Sequence, residues 1–257
     1  MRLIMCLLLV CGAAPAAGAE SRPPPRRPAY SDTGVLILAH GGSAKWNNAV
    51  RQTVGAARLA HPTQIAFGMG MHGGEVEALQ RAVDALSADG VRRIVAVPLL
   101  VSSHSEVMRQ YEYLLGAREH GPWEHHAKPI HAAVPIDITR PLNDDPAVAE
   151  VLLDRAREVS RQPGQETVVL VAHGPNEEQD NARWLQSMQR VAGEVQGAGG
   201  FHAVIPVTMR DDAEPSIQEA ATHHMRALVE ESSGHALTEA DIARYYTPAE
   251  DRHSNEN

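Results

Sequence analysis

The chain has 257 residues, of which 43% are hydrophobic, and it carries a formal net charge of −9 at pH 7. This length is sufficient for one large or two small globular domains. The negative charge argues against a nucleic-acid-binding surface and favours the attraction of cations.

The first 19 residues have the three parts of a secretory signal peptide. Arg2 supplies a positive charge, residues 3–10 form a short apolar segment, and residues 17–19 (AGA) form a cleavage site. We therefore predict cleavage before Glu20 and export to the periplasm or the cell exterior. A membrane anchor is the alternative, but an apolar segment this short cannot span about 30 Å of hydrocarbon, so no stable membrane span is expected.

Both cysteines of the chain lie in the predicted signal peptide. Cys6 and Cys11 both lie in it, so the mature chain would have neither disulfides nor thiolate ligands, and a metal site would require His, Asp or Glu. A lipoprotein attached through Cys11 is less favoured, since Val10 stands where a small residue is expected. Residues 20–30 are rich in proline and predict an extended linker.

Residues 31–140 predict the first of two similar halves. Four apolar runs predict strands, and three segments between them have helical periodicity. The strands are predicted at residues 34–39, 63–69, 91–101 and 130–134, and the helices at residues 44–59, 75–88 and 106–115. This alternation predicts an α/β fold with a parallel sheet covered by helices on both faces and the strand order 2-1-3-4.

Residues 141–246 repeat the pattern incompletely. The run TVVLVAHGP places His173 where GVLILAHGGS places His40, and further helices are predicted at residues 146–161 and 215–230. Two such halves are expected to be related by a pseudo-twofold with a cleft between them. After residue 230 the chain is polar, so the second half is predicted to lack its last strand and helix, which makes a homodimer a reasonable hypothesis. Residues 247–257 are predicted to be a disordered tail.

His40 and His104 are the principal candidates for chemistry. Each follows a buried strand, and in the order 2-1-3-4 these strands are neighbours, so both imidazoles are expected at the crevice where α/β proteins bind ligands. Two imidazoles can share a divalent metal, or one can bind it while the other accepts a proton. The structural alternative is two unrelated loop histidines that bond to the backbone.

Other candidates are weaker. Gly41 and Gly42 would leave amide groups free at the start of a helix, which suits a carboxylate or phosphate. His72, in the MHGG segment, either joins the cleft or caps a helix. His173 is either a relic or a cleft-lining residue. Two further groups have a structural interpretation: Glu75 and Glu106 as helix-dipole partners, and His120, His125, His126 and His131 as adventitious metal ligands.

These motifs resemble a known family. The strand ending LAHGGS, the later PLLVSSH and the repeated VAHGP are similar to segments of the sirohydrochlorin cobaltochelatases and ferrochelatases. The resemblance implies that His40 and His104 ligate the incoming metal and help to remove pyrrole protons. It also implies substrate contacts from Gly41, Gly42, Ser43, Ser103 and His72, with Lys45 and Arg109 as donors to carboxylates at the rim of the tetrapyrrole.

The resemblance implies insertion of a divalent metal, with Co²⁺ favoured over Fe²⁺ or Ni²⁺, into a sirohydrochlorin-like tetrapyrrole without an organic cofactor. The signal peptide, the serines before His104 and the shortened second half depart from the family pattern. The alternative is therefore an exported metal- or tetrapyrrole-binding protein without turnover. A hydrolase is disfavoured, because no G-x-S-x-G segment is present.

Overall fold

The computed structural model describes residues 2–7, 32–68 and 74–233. The chain divides into two compact units. The N-terminal unit comprises residues 10–142, and the C-terminal unit combines residues 1–9 with residues 143–257. No helix in the described ranges has both the length and the apolar character needed to cross a membrane.

Strands and helices alternate in both units. The strands are β1 (Arg2–Leu7), β2 (Thr33–Ala39), β3 (Thr63–Phe67), β4 (Arg93–Leu99), β5 (Ile136–Ile138), β6 (Glu166–Ala172) and β7 (Ala203–Thr208). The α-helices are α1 (Ala44–Ala56), α2 (Glu75–Ala88), α3 (Glu106–Leu114), α4 (Pro146–Val159), α5 (Glu178–Gly199) and α6 (Pro215–Ser233). Single turns of 3₁₀-helix lie at Pro122–His125 and Pro163–Gln165.

The N-terminal unit contains a four-stranded parallel sheet in the order β3-β2-β4-β5. This confirms the predicted strand order 2-1-3-4 and the α/β fold class. Leu36 and Leu38 of β2 are fully buried, as is Ile94 of β4, and the residues of α2 that face this core include Leu79 and Leu86. The continuous apolar run of β2 is therefore buried on both faces. In β4, buried residues alternate with half-buried ones, so one face of that strand is less completely covered.

The fourth strand lies further along the chain than predicted. The sequence placed it near residues 130–134, but the strand is Ile136–Ile138, which pairs with residues 94–96 of β4. The predicted segment is held differently: the His131 backbone bonds through both its N–H and its C=O to the Gln80 side chain. Its apolar side chains pack against the core without joining the sheet.

The C-terminal unit contains a three-stranded parallel sheet in the order β1-β6-β7. Every residue of the central strand β6 is buried. Its core includes Val168 and Leu170 of β6, Leu152 and Ala156 of α4, and Val195 of α5. Each unit therefore has its own core of aliphatic strands with helices packed against them.

The position of β1 differs from the sequence interpretation. In the N-terminal unit the central strand β2 has β3 on one side and β4 on the other, whereas in the C-terminal unit β6 has β7 on one side and β1 on the other. Arg2–Leu7 thus occupies the place that the repeat pattern assigned to a missing third strand. The segments predicted as linker and tail, residues 20–30 and 247–257, lie outside the described residues.

Candidate functional site

His40 and His104 follow adjacent strands at the same edge of the N-terminal sheet. Ala39, the last residue of β2, pairs with Leu99, the last residue of β4. His40 comes directly after its strand, and His104 follows four residues of loop before α3 begins at Glu106. The parallel pairing therefore brings both loops to the carboxyl-terminal edge of the sheet, as predicted, where ligands bind in this class of fold.

The His40 ring is exposed and has a defined orientation. Its Nδ1 lies 2.6 Å from the carbonyl oxygen of Gly41. A carbonyl oxygen can only accept, so Nδ1 carries the proton and Nε2 presents its lone pair. The backbone of the turn is fixed as well, because Trp46 Nε1 donates to the His40 carbonyl at 2.9 Å. An imidazole in this tautomer can bind a metal ion or accept a proton through Nε2.

The glycine turn after His40 is fixed by a side chain that the sequence interpretation did not select. Asn47 Oδ1 accepts from the Gly42 N–H and Asn47 Nδ2 donates to the Gly42 carbonyl, each at 3.1 Å. The Gly42 amide is therefore engaged within the protein. Gly41 lies beside the end of β3, and a Cβ atom there would make an ordinary van der Waals contact, 3.4 Å from the backbone nitrogen of Gly68. Ser43 caps α1 by accepting from Trp46 N.

His104 lies in a serine-rich turn and is half-buried. Its backbone N–H donates to Oγ of Ser102 at 3.0 Å, and Ser102 is only 2% exposed. Ser105 caps α3 by accepting from Met108 N at 3.2 Å. Ser103 is half-buried between them and has partners within the protein. The hydroxyl of Ser102 thus shapes the turn that carries His104.

A buried tyrosine connects α3 to the end of β3. The Tyr111 hydroxyl donates to the carbonyl of Gly68 at 2.9 Å, and the Tyr111 side chain is 2% exposed. Burial, and then the negative charge of Glu75, raise the pKa of the Tyr111 phenol well above its ordinary value. The phenol is therefore a hydrogen-bond donor at physiological pH. Residue 68 immediately precedes residues 69–73, and His72, predicted to contact substrate, lies in that segment outside the described residues.

In the C-terminal unit, His173 reproduces the arrangement of His40. Its Nδ1 lies 2.8 Å from the carbonyl oxygen of Gly174, directly after β6. Its Nε2, however, lies 3.2 Å from Oδ2 of Asp212, which follows β7. The two strand-end histidines therefore share one tautomer, but within the described residues His173 also faces a carboxylate, that of Asp212.

The remaining predicted polar residues are dispersed. Glu75 and Glu106 are the first residues of α2 and α3, which confirms that they open these helices. Lys45 is exposed in α1, and Arg109 is half-buried in α3.

The histidine-rich loop is held by local hydrogen bonds. His120 Nδ1 lies 3.0 Å from Oε1 of Glu124, and the N–H of Gly121 donates to the same oxygen. These contacts, that of Gly121 first, hold the pKa of Glu124 below its ordinary value. Across residues 32–68 and 74–233, no three His, Cys, Asp or Glu side chains are grouped so that they could hold a metal ion.

Comparison with known proteins gives one family. Residues 34–159 match the family model CbiX, whose members are sirohydrochlorin chelatases. The match runs from the second residue of β2 through β5 to the end of α4, and it includes both His40 and His104. A search of curated proteins gives no match.

Proposed function

We propose that this chain, which belongs to the CbiX family of sirohydrochlorin chelatases, retains the family's activity, the chelation of a divalent metal into a tetrapyrrole. In this proposal His40 and His104 bind the metal and accept the pyrrole protons. Co²⁺ is the first candidate for the metal, with Fe²⁺ and Ni²⁺ as the others, and the proposed second substrate is a sirohydrochlorin-like tetrapyrrole. No organic cofactor takes part in this proposal.

The observation that carries the proposal is the 2.6 Å contact between His40 Nδ1 and the Gly41 carbonyl oxygen, from which the tautomer of His40 follows. Metal insertion requires the loss of two pyrrole N–H protons and the removal of water from the metal ion. With Nδ1 bonded to the Gly41 carbonyl, His40 offers Nε2 either to replace a water on the metal or to accept a proton. His104 follows the neighbouring strand, so the loop that carries the second imidazole lies at the same edge of the sheet.

Rim contacts to the carboxylates of a tetrapyrrole are assigned to the amide of Gly41, the hydroxyls of Ser43 and Ser103, and His72. Gly42 contributes differently from what the motif implies, because its amide is bonded to Asn47. We therefore assign Gly42 to the shape of the turn and not to direct recognition of a carboxylate.

The proposal extends to export: with residues 1–19 as a signal peptide, the protein would act outside the cytoplasm. In that compartment the competing function is carriage, in which the same histidines hold a metal or tetrapyrrole without catalysing insertion. The two functions differ in turnover and not in binding, so a rate measurement separates them.

The test is the absorbance change when purified protein is mixed with sirohydrochlorin and Co²⁺. We expect insertion faster than the uncatalysed control, and a loss of about 10²-fold or more in His40→Ala and in His104→Ala. His126→Ala is the matched control, because it removes an exposed histidine of the same unit. If the wild-type protein binds the metal or the tetrapyrrole tightly but inserts the metal only at the uncatalysed rate, the catalytic proposal is wrong and the carrier function replaces it. Unchanged insertion rates in both histidine variants would show that His40 and His104 do not take part in the reaction.

A further inference from the structure

We infer that His173 and Asp212 form a second divalent-cation site, located entirely in the C-terminal unit. His173 follows β6 and Asp212 follows the adjacent strand β7, and their side chains approach with 3.2 Å between Nε2 and Oδ2. The inference does not depend on the proposed function of the N-terminal unit. It rests on the tautomer, the spacing, the charge and the exposure of this pair.

The tautomer is fixed by the turn. His173 Nδ1 lies 2.8 Å from the carbonyl of Gly174, which can only accept, so the ring proton is on Nδ1. The remaining nitrogen, Nε2, then points a lone pair at a carboxylate oxygen. Two acceptors at this distance repel each other unless a cation lies between them or a proton is added to Nε2.

The spacing fits two ligands of one metal ion. Bonds of about 2.1 Å from a metal to an imidazole nitrogen and to a carboxylate oxygen, at angles between about 90° and 110°, place the two ligand atoms roughly 3.0–3.4 Å apart. The observed separation of 3.2 Å lies within this range without any movement of either side chain. One imidazole and one carboxylate form a ligand set that suits Co²⁺, Ni²⁺ or Zn²⁺.

The arginine nearest to Asp212 in sequence bonds to groups other than Asp212. Arg210, the nearest cation in sequence, directs its guanidinium to the carboxylate of Glu178 and to the carbonyls of Pro175 and Asn176, so its charge is compensated within that turn. The carboxylate of Asp212 instead faces His173.

The pair is also accessible. The side chains of His173 and Asp212 are 47% and 55% exposed. No third His, Cys, Asp or Glu completes a three-ligand group in the described ranges, so water would fill the other coordination positions. Such a site binds a hydrated metal ion weakly and exchanges it rapidly, and this distinguishes it from a structural metal site, in which the protein supplies all ligands.

The test uses the full-length chain with His40→Ala and His104→Ala, which removes the proposed N-terminal ligands. Co²⁺ binding is followed by visible absorbance and equilibrium dialysis. We expect one bound Co²⁺, loss of binding on adding His173→Gln, and at least about tenfold weaker binding on adding Asp212→Asn. His202→Ala is the control and should leave binding unchanged, because His202 is an exposed histidine at the opposite end of the same sheet.

A second measurement separates a metal ion from a proton. In ¹⁵N spectra of the His173 ring, added Zn²⁺ should shift Nε2 and leave Nδ1 protonated. Two protonated ring nitrogens that do not respond to Zn²⁺ would show an imidazolium–carboxylate pair and overturn the inference. Absence of Co²⁺ binding, or binding unaffected by either substitution, would overturn it as well.

Discussion

The side-chain amide of Asn47 makes two hydrogen bonds to the backbone of Gly42, one to its N–H and one to its carbonyl, each at 3.1 Å. Asn47 lies in the first turn of α1, and Gly42 lies in the turn that carries His40. The amide therefore links the orientation of the proposed metal-binding histidine to the start of a helix. It also satisfies two backbone groups that a strand-to-helix turn would otherwise leave to water.

Replacing the side-chain amide of Asn47 should slow metal insertion. In Asn47→Ala both bonds are lost, at about 0.5–1.5 kcal/mol each, so we expect roughly a tenfold lower rate of metal insertion as the turn loosens. The rate is measured with sirohydrochlorin and Co²⁺. Asn48→Ala is the matched control, because the Asn48 side chain bonds to Arg51 within the helix and not to the turn. Equal rates in the two variants would contradict a positioning role for Asn47.

Tyr111 should make stability sensitive to alkaline pH. Its phenol pKa is raised by burial and by Glu75, so above about pH 10 the unfolded chain loses the phenol proton while the folded chain keeps it. Stability therefore falls as the pH rises through this window. Tyr111→Phe should cost about 1–2 kcal/mol near neutral pH, through loss of the bond to Gly68, and should show a shallower alkaline decline. Urea unfolding at several pH values measures both effects. If stability falls equally steeply with alkaline pH in the wild type and in Tyr111→Phe, Tyr111 is not the source of the decline.

Substitution of Gly174 should destabilise the fold more than substitution of the other glycines with positive φ. It has φ +77°, and a Cβ atom there would lie 2.6 Å from Cβ of Thr208. Gly90 has φ +80° but open space around its Cβ position. Both alanine variants carry backbone strain of about 1–2 kcal/mol, and only Gly174→Ala adds a clash. We expect a larger loss of unfolding free energy for Gly174→Ala, and equal losses would show that the clash is relieved without cost.

Export can be tested directly on the expressed protein. If residues 1–19 are a signal peptide, the protein recovered outside the cytoplasm should begin at Glu20. Amino-terminal sequencing and intact mass after cell fractionation provide the measurement. Retention of Arg2–Leu7 in the recovered protein would contradict cleavage and leave β1 in place.

The sheet of the N-terminal unit could be predicted because its strands are continuous apolar runs between turn-forming residues. The same signal misplaced β5: residues 130–134 contain apolar side chains that pack against the core, but the His131 backbone bonds to Gln80 and does not pair with a strand. Periodicity reports burial, and it does not report which backbone groups pair.

Contacts between distant residues could not be predicted. Asp212 and His173 meet because β6 and β7 are adjacent, and no motif marks Asp212. Asn47 has no sequence signal beyond a polar residue near a helix start, where such side chains commonly bond to backbone. The positions of His40 and His104 after adjacent strands were predictable, since they follow from strand order, whereas their roles stay a prediction.

The pairing of β1 with β6 has a consequence for the timing of biosynthesis. Arg2 pairs with Glu166, so β1 cannot join its sheet until more than half of the chain has been made. At synthesis rates of about 5–20 residues per second, the amino-terminal segment stays unpaired for roughly ten to thirty seconds. If residues 1–19 are a signal peptide, export machinery would meet that peptide in an accessible form during this interval. Completion of the sheet would afterwards engage the β1 backbone in hydrogen bonds, so later targeting would meet a paired segment.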